Sequence, residues 1–127
     1  KKRLIIGNHD GGWLKRLDAS RYFLSVDHFI EVSDGKHKLV LCHYPLMCWK
    51  HELKSYMIHG HIHNNTNFPY WSVIRNNPRL LNAGTDINGF EPVSFDEMLA
   101  NNKRFKAGVS DETDTETKLY HIKEVQK

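Results

Sequence analysis

An α/β fold is what this sequence predicts, and three observations predict it. Apolar runs of strand length recur, each closed by a glycine, a proline or a turn pair; apolar residues at helical spacing occur between them; and a serine–glutamate capping signature opens a late helix. At 127 residues the chain has the length of one domain, and a domain of this size buries roughly two-thirds of its unfolded surface. No repeat, linker or change of composition divides it, so residues 1–127 read as a single domain.

Taken in order, residues 3–7 read as a short buried strand, because Leu4, Ile5 and Ile6 run without interruption up to Gly7. Trp13, Leu14 and Leu17 then recur at helical spacing, which predicts an amphipathic helix over residues 12–20. Residues 26–32 and 38–44 read as two strands around Asp34-Gly35, a dipeptide that accepts the positive φ of a tight hairpin. Pro45 breaks that run, and residues 47–53 read as a weak helix or a loop. A strand over 56–59 ends at Gly60, the polar run 64–67 is loop, and residues 79–83 form a strand ending at Gly84. Ser94 and Glu97 match the capping box, so a helix is expected from Phe95 to about Asn102. Residues 111–117 are acidic and polar, and residues 118–125 read as a last strand.

Composition excludes several classes. With 39% apolar and 26% charged residues the chain is globular rather than disordered. No run approaches the roughly 18 apolar residues of a membrane span, and no charged-then-apolar leader is present. The net charge of +3 arises from interspersed basic and acidic residues, so nucleic acid is not indicated as a partner. Two cysteines and no secretory signal point to a reducing, cytoplasmic setting, with Cys42 read as a buried packing residue.

Nine histidines point elsewhere. Asn8-His9-Asp10, His43 and His59-Gly60-His61-Ile62-His63 all close or follow strand-like runs, where a layered scaffold fixes the backbone and loops supply reach. Imidazoles with an amide or carboxylate oxygen make a mixed nitrogen–oxygen donor set that suits first-row divalent ions. Taken singly, His43 reads as an ordinary strand-end histidine and Asn8 as a turn residue. His61 and His63 would share one face if their segment is extended. His59 could join the site, though its place beside Gly60 favours a structural role, and His28, His37, His51 and His121 read as surface residues.

In combination the motifs are more specific. G-N-H-D at Gly7 to Asp10, a strand ending in His43, and G-H-I-H at Gly60 to His63, in that order, resemble the calcineurin-like metallophosphoesterase family. The run from Asn82 to Met98 is similar to the tail of its small bacterial and phage members. The resemblance implies an α/β fold in which a β-sandwich is flanked by helices (α/β/β/α layers), and hydrolysis of a phosphate mono- or diester by a metal-activated water. It implies two divalent ions, such as Mn, Fe, Zn or Ni, with Asn8, His43 and His61 ligating one and His63 the other. His9 would face the phosphate and Asp10 would orient and support it, while Gly7 would let the backbone turn sharply. The family's D-x-H and G-D motifs occur nowhere in the chain. The chain, which starts at Lys1 on the strand entering the third motif, is therefore expected to be the C-terminal portion of a longer domain, prone to self-association through uncovered strand edges. A non-catalytic metal- or phosphate-binding module derived from that fold is the alternative. Phe68, Tyr70 and Trp71 either line a substrate cleft or pack back onto the domain, and Asp86 or Glu91 are carboxylates that could complete the site.

Overall fold

A computed structural model describes residues 2–108; the acidic stretch 111–117, the strand expected over 118–125 and His121 lie outside them. The described chain is mixed α/β, with two sheets and a few helices. β1 (Lys2–Ile5) pairs in parallel with β2 (Phe23–Asp27), and β3 (Phe29–Ser33), β4 (Lys38–Cys42), β5 (Ser55–His59) and β6 (Leu80–Asn82) form a four-stranded sheet in that order. β3 and β4 are an antiparallel hairpin, whereas β4, β5 and β6 are parallel. No helix among the described residues is long and apolar enough to cross a membrane.

Local sequence explains the hairpin. Asp34 Oδ1 accepts from the backbone N–H groups of Lys36 and His37, and Gly35 takes φ +92°, so the turn closes as its residue types require. Strands 26–32 and 38–44 need correction, however. No glycine, proline or turn pair interrupts residues 23–33, yet the chain leaves one sheet at Asp27 and enters the other at Phe29. A period-2 pattern states which face a residue takes, not which sheet it joins.

Two further expectations change. The first strand is only half-buried at Leu4 and Ile5 and exposed at Lys2 and Arg3, since among the described residues β2 is its one strand partner. The helix expected over 12–20 is a single turn, α1 (Gly11–Leu14), followed by a 3-10 turn Ala19–Arg21. Adjacent Gly11 and Gly12 are poor helix formers, and Asp18 starts the second turn by accepting from Ser20 N–H.

The core gathers Val40, Trp49, Met57, Ile62, Ile74 and Leu80, with Cys42, Leu46, Phe68, Tyr70 and Trp71 packed against it. Cys42 is thus half-buried rather than buried. Residues 47–53 are loop and turn. Phe68, Tyr70 and Trp71 pack back onto the domain; Phe68 stacks on Tyr70 at 5.0 Å, and Trp71 opens a helix the sequence reading missed, α2 (Trp71–Asn76).

The capping box at Ser94 and Glu97 forms, and α3 (Phe95–Ala107) runs a full turn beyond Asn102 to a left-handed Gly108. The reason is tertiary. Among the described residues β6 is the edge strand of its sheet, and its outward backbone groups would be orphaned there. Asn102, 1% exposed, accepts from Asn82 N–H at 2.7 Å and donates to Asn82 C=O at 2.9 Å, while Lys106 donates to the carbonyls of Asn77 and Leu80. The helix covers the edge with polar side chains, so its buried side does not read as apolar. His37 is likewise half-buried, its ring 4.3 Å from that of Phe95, rather than on the solvated surface.

Candidate functional site

Parallel strands align their carboxyl ends, and crevices outside those ends are where open α/β sheets bind ligands. Asn8 follows the end of β1, His43 directly follows β4, and His61 and His63 follow β5. The register that pairs Leu41 with Ile58, together with the bond from Gly60 N–H to the His43 carbonyl, brings the β4 and β5 loops side by side.

Asp10 builds the first loop. Its Oδ2 accepts from Gly7 N–H at 2.6 Å and its Oδ1 from the Trp13 indole at 2.9 Å, closing a turn that displays Asn8 and His9. The Gly7 bond above all holds the Asp10 carboxyl below its ordinary pKa. The resemblance implied that Asp10 orients His9. Its hydrogen bonds instead shape the backbone, while its charge acts through space on His43 and His9. Gly7 also has a different purpose from the sharp turn expected of it. Its φ is not positive; rather, a Cβ there would lie 2.8 Å from His43 Cε1 and 2.9 Å from Nδ1. Glycine is needed so that the imidazole can approach the backbone. Gly7→Ala should therefore displace the ring and lower stability by about 1–3 kcal/mol, as overpacking does; thermal denaturation and the loss of the Asn8–His43 hydrogen bond in a crystal structure would check it.

His43 is the centre of the arrangement. Its Nε2 lies 2.6 Å from Asn8 Oδ1, across 35 residues of chain. Its ring centroid is 5.2 Å from that of His61, and Tyr44 packs edge-to-face on both imidazoles, at 5.0 and 4.7 Å. Burial first, and then the neighbouring His61, push its pKa down, so the neutral, ligating form is favoured. His9, His63 and Asp10 also act electrostatically on it. All six residues singled out in the sequence thus share one locale.

The G-H-I-H loop is not extended, which corrects the reason given for pairing His61 with His63. Both lie in the left-handed region, at φ +67° and +53°, and Ile62 between them is 1% exposed. Driving Ile62 into the core turns both imidazoles outward, at a cost of about 1–3 kcal/mol for each strained residue. Such strain concentrates at functional sites. His63 is further oriented by Asp86, whose Oδ2 lies 2.8 Å from its Nδ1, leaving Nε2 to face outward. A carboxylate behind a histidine is the arrangement that orients metal-bound imidazoles. His59 is buried, with Nδ1 donating to the Gly60 carbonyl at 2.8 Å and Nε2 without a partner among the described residues.

Among the described residues, no group of three or more His, Cys, Asp or Glu side chains is arranged to hold a metal ion. The nearest set is two imidazoles and an amide oxygen, from His43, His61 and Asn8. These donors fit a borderline first-row ion in kind, completed by outside ligands such as water or phosphate. Tyr44, the partnership of Asp86 with His63, and Asn82 beneath the loops were not read from sequence. Tyr44 adjoins His43 and could have been suspected; the other two depend on contacts across about 20 residues. No protein-family model, curated protein or solved structure matches this chain.

Proposed function

We propose that this chain carries part of a metal-dependent phosphoesterase site, acting on a phosphate mono- or diester, within the layered β-sandwich that its motifs resemble. The observation that supports the reading most is the convergence on His43: Asn8 in direct contact, His61 packed beside it, and His9, Asp10 and His63 within electrostatic range. Asn8 Oδ1, His43 and His61 would hold one divalent ion, and His63, backed by Asp86, would face a second. Bound there, such ions supply Lewis acidity toward a phosphoryl oxygen and a nucleophile at neutral pH. His9, exposed on the turn shaped by Asp10, would donate a hydrogen bond or a proton to the phosphate ester. Neutral ligands keep the site electrophilic, so an anionic substrate is favoured.

The chain lacks the bridging carboxylate of the family it resembles, and the expected result for the chain alone is weak ion binding with little turnover. Manganese titration and hydrolysis of an aryl phosphodiester test this on the chain and two variants. His61→Ala should weaken manganese binding by at least about 100-fold, exceeding the effect of changing a residue behind a ligand. Turnover that falls about 10²–10⁴-fold in His9→Ala would make the chain a complete enzyme using His9 as acid. Manganese binding that depends on His61, without turnover, would make it a metal-binding module. Binding indifferent to His61 would sink both readings.

A further inference from the structure

One buried side chain joins the two loops that present His63 and Asp86. The parallel register sets Asn82, at the end of β6, beside His59 at the end of β5. Its side chain is completely buried, and each half of the amide is used: Nδ2 donates to the His63 carbonyl at 2.7 Å, and Oδ1 accepts from Gly84 N–H at 2.8 Å. The first bond holds the backbone of a histidine at φ +53°. The second anchors the start of the 3-10 turn Thr85–Ile87, which carries Asp86. Gly84 leaves room for this clamp, since a Cβ there would lie 3.0 Å from Asn82 Oδ1. Asn88 ties the same turn from its other side by donating to the Gly84 carbonyl.

We infer that Asn82 is a positioning residue: by bridging the His63 and Gly84 backbones it sets the Asp86 carboxylate against His63 Nδ1 and so aims His63 Nε2 toward a divalent ion. The ion part of this rests on the metal-site reading above; the positioning part does not. An amide donates to a carbonyl from its nitrogen while accepting from an N–H at its oxygen, so one side chain can hold two backbone segments at once. Asn82→Asp keeps the acceptor for Gly84 but sets an oxygen against the His63 carbonyl. Gly84→Ala disturbs the same amide from outside and leaves it in place, which covers the case in which the buried carboxylate prevents folding.

The test uses the whole chain, with nitrogen-15 shifts of the His63 ring in metal-free protein and zinc affinity by competition with a chromophoric chelator. Unaltered protein should show His63 protonated on Nδ1. Asn82→Asp and Gly84→Ala should lose that preference and weaken zinc binding about 10–100-fold, the range for residues that orient metal-bound histidines. In a His63→Ala background Asn82→Asp should change zinc affinity less than twofold. Ile74→Ala, a core truncation remote from the loops, should lower the melting temperature and leave the tautomer unchanged. A tautomer indifferent to both Asn82→Asp and Gly84→Ala overturns the inference, as does an affinity loss from Asn82→Asp that persists without His63. If zinc does not bind the unaltered chain but the tautomer depends on Asn82, the positioning role stands and the metal-site reading falls.

Discussion

Asn102→Leu should lower the unfolding free energy by about 2–5 kcal/mol, a loss set by unpaired polar groups rather than by packing. Leucine has nearly the shape of asparagine, so little volume changes. What disappears is the cover over the edge of β6: Asn82 N–H and C=O each lose a buried partner, and the Met98 carbonyl loses a third bond. Each buried backbone group left without a partner costs about 1–3 kcal/mol. Urea denaturation would measure the difference, and a loss under about 1 kcal/mol would mean that the β6 edge finds other partners. Because Asn82 also supports the loops of the candidate site, hydrogen exchange of the Asn82 amide should accelerate in the variant.

The second large effect is acid sensitivity. His59 is 1% exposed, and burial, the dominant cause, lowers its pKa from 6.5 to about 4. Between those values the unfolded chain binds a proton that the folded chain refuses, so stability rises with pH across the window and is lost as pH falls from 6.5 toward 4. A shift of this size corresponds to roughly 3 kcal/mol. Among the described residues Nε2 has no partner, so a proton there would find no acceptor in them. Unfolding free energies at pH 7 and 4.5 should therefore differ by about 2–3 kcal/mol more in the unaltered chain than in His59→Gln, which cannot titrate. Equal pH dependence in the two proteins would assign the acid loss to other groups.

Much of this was legible before the fold was known. The hairpin turn at Asp34-Gly35 and the cap at Ser94 and Glu97 rest on interactions within a few residues, so residue type alone announces them, and the strands closed by His59-Gly60 and ahead of Gly84 are announced by apolar runs with a glycine after them. The break at His28 was not legible, since no glycine, proline or turn pair marks it between Phe23 and Ser33 and only pairing partners show that two sheets are involved. The helix at Trp71 was hidden by its six-residue length between Pro69 and Pro78. The reach of α3 past Asn102 was hidden because a buried asparagine looks like a solvent-facing one until a strand edge lies beside it.

For the site, the sequence by itself determined which residues to consider. Asn8, His9, Asp10, His43, His61 and His63 stand at or just after strand-like runs, and strand ends are a local property. Only the tertiary structure decided how they stand to one another. Parallel pairing of β4 with β5 set His43 beside the G-H-I-H loop; the core drew in Ile62 and forced its two neighbours into left-handed backbone; and the end of β6 delivered Asn82 beneath that loop. The physical reason is that these arrangements are bonds and packing contacts between residues about 20 to 35 positions apart. No residue records in its own identity which distant partner will satisfy it, and only the folded register of the sheet makes that choice.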